Sequence, residues 1–248
     1  MILLFDIGNT HTHVGLADGR RVLKQADLPT FAWRAGGAPG RVKNFVGKVK
    51  IEGAALCSVV PDVTPHVKKC VQVAWQLEAL ELKAATIRGV GIDYPKPNSI
   101  GPDRLANAVA ARRRFGAPVV VVDFGTAVTF DVVDRRGNYV GGIIAPGLAV
   151  MTSYLHEKTA LLPKIQIRDI RTAIGKSTEE AMLVGAVHGY RGLVRELIGE
   201  LQRELCAPRL PVVATGGYAK LIAARLPEIT AVAPDLTLEG LRLVWQAT

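Results

Sequence analysis

Short apolar runs alternate with helix-type patterns along the chain. Short apolar runs and one weakly alternating segment, Val22–Leu28, bounded by turn-forming residues, predict β-strands. The predicted strands are Ile2–Phe5, Val14–Ala17, Val22–Leu28, Ala54–Val60, Val119–Asp123, Val128–Val133, Tyr139–Ile144 and Val212–Ala214. Apolar residues at helical spacing predict helices over 61–77, 101–115, 151–156 and 177–205, around 221–226, and in part of 32–48. Alternating strands and helices predict an α/β protein.

The order of these elements occurs twice. Each half begins with a strand that ends in an acidic turn, and the second half starts after Gly116-Ala117-Pro118. We therefore expect a domain boundary there, with one lobe over residues 1–116 and a second over residues 117–248. Between the halves, residues 85–100 are rich in glycine and proline, which predicts a loop.

The two acidic turns are similar in composition. Asp6-Ile7-Gly8-Asn9-Thr10 follows the first strand, and Asp123-Phe124-Gly125-Thr126-Ala127 follows its counterpart. In each, a glycine stands two residues after the acid, and a threonine follows within two more. Glycine lets the backbone approach a phosphate, the amides and hydroxyls donate to its oxygens, and the acid can orient a cation. One such turn alone would be an ordinary hairpin, but the repetition favours a nucleotide site.

Composition narrows the class of protein. Hydrophobic residues make up 49% and charged residues 21%, as in a globular protein. No apolar stretch is long enough for a spanning helix, and Met1–Phe5 lacks the features of a signal peptide, so we expect a cytoplasmic protein without membrane contact. Cys57, Cys70 and Cys206 have no metal-binding spacing, which favours reduced thiols.

The net charge of +9 leaves two interpretations. A nucleic-acid-binding protein can have such a charge. The densest basic run, however, is Arg112-Arg113-Arg114 near the end of a predicted helix, where cations also stabilise the helix dipole. We favour a basic solvated surface that attracts anionic substrates, and we expect no nucleic-acid partner.

Asp103 and Arg104 have two possible roles. Acids are common in the first turn of a helix for electrostatic reasons alone, and the residues by themselves favour that interpretation. The functional alternative is a general base beside an anion-binding arginine. The glycine-rich segments at Gly141–Gly147 and Thr215–Gly217 also allow two interpretations, because glycine there suits either a nucleotide site or close packing of a strand on a helix.

Taken in order, these motifs resemble those of the type III pantothenate kinases. The resemblance extends from residue 2 beyond residue 217 and rests on Asp6-x-Gly-Asn-Thr, Gly101-x-Asp-Arg, Asp123-x-Gly-Thr-Ala with Thr129 and Asp131, Gly141-Gly-x-Ile-x-Pro-Gly, and Gly216-Gly217. It implies two duplicated ribonuclease-H-like lobes of the actin/Hsp70 type with a central cleft. It also implies transfer of the γ-phosphoryl group of ATP to pantothenate, a homodimer, Mg²⁺, and a monovalent cation such as K⁺ or NH₄⁺.

The resemblance also implies roles for individual residues. Asp103 corresponds to the catalytic base and Asp123 to the ligand of the monovalent cation. Residues implied to bind ATP are Asp6, Ile7, Gly8, Asn9, Thr10, His11, Thr12, His13 and Thr126. Residues implied to bind pantothenate are Tyr94, Gly101, Pro102, Asp103, Arg104 and Thr178. Pro102 departs from the small residue common in the family, and it removes one backbone donor.

Two other functions compete with this hypothesis. A phosphate hydrolase of the same superfamily would use water as the acceptor, although the Gly101-x-Asp-Arg motif argues for a dedicated acceptor pocket. A non-catalytic regulatory or nucleic-acid-binding relative would have been suggested by loss of Asp6, Asp103 or Asp123, and all three are present.

Overall fold

Strands and helices alternate through the computed structural model, which describes residues 1–248. The strands are β1 (Ile2–Ile7), β2 (His11–Ala17), β3 (Val22–Pro29), β4 (Gly53–Ser58), β5 (Ala79–Glu81), β6 (Gly91–Ile92), β7 (Val119–Phe124), β8 (Ala127–Val133), β9 (Asn138–Pro146), β10 (Val212–Thr215) and β11 (Ala231–Val232). The helices are α1 (Phe31–Arg34), α2 (Ala38–Val46), α3 (Thr64–Trp75), α4 (Pro102–Phe115), α5 (Leu148–Lys158), α6 (Thr178–Val184), α7 (Tyr190–Glu204), α8 (Ala219–Ala223) and α9 (Leu236–Gln246).

The chain divides into two compact units. Unit 1 contains Met1–Gly116, Gly137–Val140 and Asp235–Thr248, and unit 2 contains Ala117–Arg136 and Gly141–Pro234. The break after Gly116 coincides with the boundary expected from the sequence. The lobes expected at 1–116 and 117–248 remain a proposal about domains, and α9 groups with unit 1.

The sheet of unit 1 has the strand order β3-β2-β1-β4-β5. Strand β1 is antiparallel to β2 and parallel to β4. Because side chains alternate across a strand, Leu3, Phe5 and Ile7 share one face and pack in a core with residues of α1, α2 and α3. Helix α9 contacts β1 and β4. There Gly53 leaves space for Trp245, since a Cβ on Gly53 would lie 2.1 Å from Trp245 Cζ2.

The sheet of unit 2 repeats this order as β9-β8-β7-β10-β11. Strand β7 is antiparallel to β8 and parallel to β10, as β1 is to β2 and β4. The first residues of β9 belong to unit 1, where they pair with β6 in parallel. The shared strand order confirms that the two units are built alike.

Most of the predicted strands and helices are present, although their first and last residues differ from the predicted ones. The helix predicted over 177–205 is interrupted by a π-helical segment at Gly185–Gly189. The loop predicted over 85–100 contains the short strand β6 and a 3₁₀ turn at Pro97–Ser99. Strands β5 and β11 and helix α9 are not among the predicted elements. None of the helices is both long and apolar enough to cross a membrane.

Candidate functional site

The first acidic turn connects β1 to β2. The Gly8 amide donates to the His11 carbonyl at 3.0 Å, which closes the turn. Asn9, Thr10 and His11 are exposed, so their side chains are accessible to a ligand. The side chains of Ile7 and Thr12, by contrast, are fully buried. These two predicted ATP-binding residues can therefore contribute through backbone groups or by positioning the turn.

His13 contacts an acidic residue on the same hairpin. Its Nδ1 lies 2.6 Å from Asp27 Oδ1, across the β2–β3 pairing, and the two side chains are 45% and 63% exposed. The structure thus places His13 beside a carboxylate of β3.

Asp6 and Asp103 lie around one buried thiol in unit 1. The Sγ of Cys57, on β4, donates to Asp6 Oδ1 at 3.4 Å. Burial, followed by the charges of Asp6 and Asp103, raises the pKa of the Cys57 thiol well above its usual range. Cys57 consequently stays protonated and can serve as a hydrogen-bond donor to Asp6. Sequence reasoning placed Cys57 in the core but missed this contact.

Asp103 lies in the first turn of α4. Its Oδ1 accepts a hydrogen bond from the Arg104 amide at 2.9 Å. Burial raises the pKa of the Asp103 carboxyl above its ordinary value of 3.8, and the Arg104 amide and charge offset this only in part. A carboxylate with a raised pKa is better suited to accept a proton.

The residues before Asp103 allow this arrangement. A Cβ on Gly101 would lie 2.5 Å from Asp103 Oδ1, so any other residue there would displace the carboxylate. Pro102 begins the helix, where the missing amide has no partner within the helix. The departure at Pro102 therefore does not disturb the local fold.

The second acidic turn connects β7 to β8 in unit 2. It is one residue shorter than the first, because the Gly125 amide donates to the carbonyl of Ala127 at 3.1 Å. Thr126 is exposed, and its carbonyl accepts the Gly147 amide at 3.1 Å. Gly216 lies against Asp123, since a Cβ there would approach Asp123 Oδ1 within 2.5 Å. Both glycine-rich segments noted in the sequence therefore pack against this turn.

Comparison with known proteins identifies the same family that the sequence motifs resemble. A sequence profile of the type III pantothenate kinase family matches residues 2–200. A type III pantothenate kinase of Akkermansia muciniphila is 46% identical over 242 residues, which cover 97% of this chain and 96% of the relative. One from Methylacidiphilum infernorum is 42% identical over 98% of this chain and 87% of the relative.

The chain belongs to the type III pantothenate kinase family.

Solved structures show the fold of this type III pantothenate kinase family member independently. A Campylobacter jejuni protein described as a conserved member of the Baf family of transcriptional activators has a TM-score of 0.63 at 20% identity, covering 99% of this chain and 98% of that one. An inorganic polyphosphate/ATP-glucomannokinase of Arthrobacter has a TM-score of 0.51 at 14% identity, covering 100% and 99%. At these identities the likeness concerns the fold alone, and it confirms the class expected from the sequence.

Tyr139 contacts two of the proposed site residues of this family member, and sequence reasoning missed it. It is buried at the start of β9, and its ring makes an edge contact with Tyr94 at a centroid distance of 6.2 Å. The Arg104 guanidinium carbon lies 5.8 Å from the centre of the same ring. Tyr139 thus joins two residues implied to bind pantothenate. No local motif marks it, because the contact depends on the pairing of β6 with β9.

Thr178 belongs to unit 2 and is exposed at the start of α6. The preceding Ser177 caps the helix by accepting the Glu180 amide at 3.2 Å, and Glu180 Oε2 accepts the Lys176 amide at 2.8 Å. The cap fixes where the helix begins and therefore where Thr178 stands.

The carboxylates of this pantothenate kinase fold suit hydrated cations. No cluster of three or more His, Cys, Asp or Glu side chains could enclose a metal ion. Asp6 and Asp123 instead each stand near the end of a strand, just before a turn, and Gly216 packs closely against Asp123. Mg²⁺ keeps several waters and binds through one or two carboxylates together with substrate phosphates, so single carboxylates at these turns fit the Mg²⁺ that accompanies ATP in kinases.

Proposed function

We propose that this protein transfers the γ-phosphoryl group of ATP to the primary hydroxyl of pantothenate, yielding 4'-phosphopantothenate, the first step of coenzyme A synthesis. The observation that carries the proposal is Asp103, a partly buried carboxylate with a raised pKa, beside Arg104 and in the same unit as the Asp6 turn. Membership of the family indicates that the substrates are ATP and pantothenate, and the surroundings of Asp103 support its proposed role as the general base.

In the proposed mechanism, Asp103 acts on the acceptor. Its Oδ1 already accepts the Arg104 amide, so Oδ2 is the oxygen that takes the proton of the attacking hydroxyl. The hydroxyl oxygen then bonds to the γ-phosphorus as the bond to the ADP oxygen breaks. A positioned base of this kind contributes about 10²–10⁴-fold in rate.

Unit 1 also binds the acceptor in this proposal. Arg104, held against Tyr139, pairs with the pantothenate carboxylate, while Tyr94 and the backbone of Gly101 and Pro102 border the same group. Thr178, at the start of α6 in unit 2, is a further proposed contact with pantothenate.

Both acidic turns take part in binding ATP. The exposed groups of Asn9, Thr10 and His11 donate to phosphate oxygens, as does Thr126 in unit 2. Asp6 would hold Mg²⁺ directly or through water, and Asp123 would hold K⁺ or NH₄⁺. Bound cations neutralise charge that develops on the phosphates, which is the main requirement of phosphoryl transfer.

We further propose that the protein is a homodimer. Helix α5 exposes Val150, Met151, Tyr154 and Leu155, with Tyr154 59% exposed. Elsewhere in unit 2, Leu161 and Ile174 are 90% and 76% exposed. Exposed large apolar residues concentrated on one helix favour a protein interface. Location in the cytoplasm remains part of the proposal.

A coupled assay tests the function. Purified protein with ATP, Mg²⁺ and K⁺ should release ADP only when pantothenate is present, and mass spectrometry should detect the phosphorylated product. ADP release independent of pantothenate would favour the hydrolase alternative. Absence of product from folded protein would reject the proposal.

A further inference from the structure

A chain of buried hydrogen bonds lies directly behind the first acidic turn. Thr12 on β2 and Thr30 after β3 are both fully buried. Their hydroxyl oxygens are 3.1 Å apart, and the Trp33 indole Nε1 lies 3.2 Å from Thr12 Oγ1. Thr30 Oγ1 in turn lies 2.7 Å from the Gly8 carbonyl oxygen.

Which group donates in each of these hydrogen bonds follows from how many protons each group carries. The Gly8 carbonyl can only accept, so the single hydroxyl proton of Thr30 is used there. Thr30 must then accept from Thr12, and Thr12 must accept from the Trp33 indole, which can only donate. Each hydroxyl thus has one donor and one acceptor partner, and all the hydrogen bonds run in one direction, from the Trp33 indole to the Gly8 carbonyl.

Thr30 contacts the turn at a second point. Its backbone amide donates to the Thr10 carbonyl at 3.0 Å. One buried residue therefore fixes the carbonyls of both Gly8 and Thr10. Because a trans peptide is planar, with its C=O and N–H directed oppositely, fixing these carbonyls also fixes the amides of Asn9 and His11.

We propose that Thr30, oriented by Thr12 and Trp33, is a positioning residue that sets the affinity of the first turn for nucleotide phosphate. The inference rests on the proposed function, since ATP binding at this turn is part of it. Thr30 is buried and acts through the backbone of residues 8–11. The same hydrogen bonds give a structural reason for the burial of Thr12, which the family resemblance implied to bind ATP.

Thr30→Val removes the hydroxyl at nearly constant shape and keeps the backbone amide. We expect the affinity for a non-hydrolysable ATP analogue, measured by titration calorimetry, to fall about 2- to 13-fold, the range for one lost hydrogen bond. The KM for ATP should rise by the same factor while the KM for pantothenate is unchanged. Thr30→Ser, which keeps the donor, should restore nucleotide affinity.

Thr237→Val is the matched control. Thr237 Oγ1 donates to Asn107 Oδ1 at 2.8 Å in the interior of the same unit, so the variant loses a comparable bond away from the turn. It should lower the melting temperature without changing nucleotide affinity. If Thr30→Val is unfolded at 25 °C, Thr12→Val replaces it and should weaken analogue binding at least twofold.

Two results would overturn the inference: a folded variant that binds the analogue as tightly as the wild type, or a Thr30→Ser protein as weak as Thr30→Val. Wild-type protein that binds the analogue but does not phosphorylate pantothenate would instead reject the proposed function. In that case the calorimetric comparison still tests Thr30.

Discussion

At the scale of single residues, Asp103 combines a proposed catalytic use with a cost in stability. Its folded-state pKa is raised by burial, so the folded protein binds more protons at this carboxyl than the unfolded chain does. The contribution of this carboxyl to stability is therefore present below its unfolded-state pKa and is lost as the pH rises through its folded-state pKa. The charge that makes Asp103 a base is therefore unfavourable for folding.

We expect Asp103→Asn to show both effects. The kcat should fall about 10²–10⁴-fold, while the melting temperature at pH 7 should rise, because the amide carries no buried charge and its oxygen can still accept the Arg104 amide. In the wild type, kcat/KM should decrease on acidification, with an apparent pKa above 3.8. Calorimetry and a pH–rate profile provide the measurements. Near-wild-type turnover in the variant would remove Asp103 from its role.

Tyr139 provides a second test at this scale. Tyr139→Leu removes the ring that contacts both Tyr94 and Arg104. We expect the KM for pantothenate to rise about 2- to 13-fold, since contacts of this kind are worth ~0.5–1.5 kcal/mol, while the KM for ATP stays constant. Tyr139→Phe, which keeps the ring, serves as the control. Equal changes in both KM values would indicate general damage to unit 1.

The sequence alone predicted the proposed site residues as motifs but not the residues that support them. Asp6, Asp103 and Asp123 each stand two residues from a glycine, and the resemblance of these motifs to the family supplied their proposed roles. Cys57 and Tyr139 have no such pattern, because their contacts depend on the pairing of β4 with β1 and of β9 with β6. Contacts between distant segments are not visible in periodicity.

At the scale of secondary-structure elements, the repeated order of strands and helices could be predicted from the sequence, but the shortest strands could not. Strands such as β1 and β7 are long enough for their apolar pattern to be recognised. Strands β6 and β11 contain only two residues each, too few to show any period. Helix α9 does have an apolar stripe, with Leu238, Leu241 and Val244 buried, and this signal could have revealed it.

Substitution of Gly216 tests the close packing of the segment after β10 against the end of β7. Gly216 has φ +88°, and an added Cβ would overlap both Asp123 Oδ1 and the backbone of Phe124. We expect Gly216→Ala to destabilise the protein by about 1–3 kcal/mol and to raise the K⁺ concentration needed for half-maximal activity. Denaturant unfolding and K⁺ titration are the measurements.

Its neighbour Gly217 is a matched control, because nothing lies within 4 Å of a Cβ placed there. Gly217→Ala should leave the K⁺ requirement unchanged. An unchanged K⁺ requirement in Gly216→Ala as well would argue against Asp123 as the cation ligand.

At the scale of the whole molecule, the apolar face of α5 is the feature that a single chain leaves uncovered. We expect Tyr154→Glu to convert the proposed dimer to a monomer, because a charge would have to be buried at the interface. Light scattering after size-exclusion chromatography measures the mass directly. Val73→Glu, at an apolar residue of α3 that is 69% exposed, should remain dimeric. A monomeric wild type would contradict the proposal.

The return of α9 to unit 1 has a consequence for biosynthesis. Gly240 packs so closely on α4 that an added Cβ would lie 2.0 Å from the Ala106 carbonyl oxygen, so this helix is an integral part of the first-made half. Nascent chains usually fold from the N-terminus as they leave the ribosome. Here the contacts of α9 with α4, β1 and β4 cannot form until translation has passed residue 234, so the sheet of residues 1–116 is less covered until then. Slowed elongation across the middle of the message would therefore prolong exposure of the first half to chaperones and proteases.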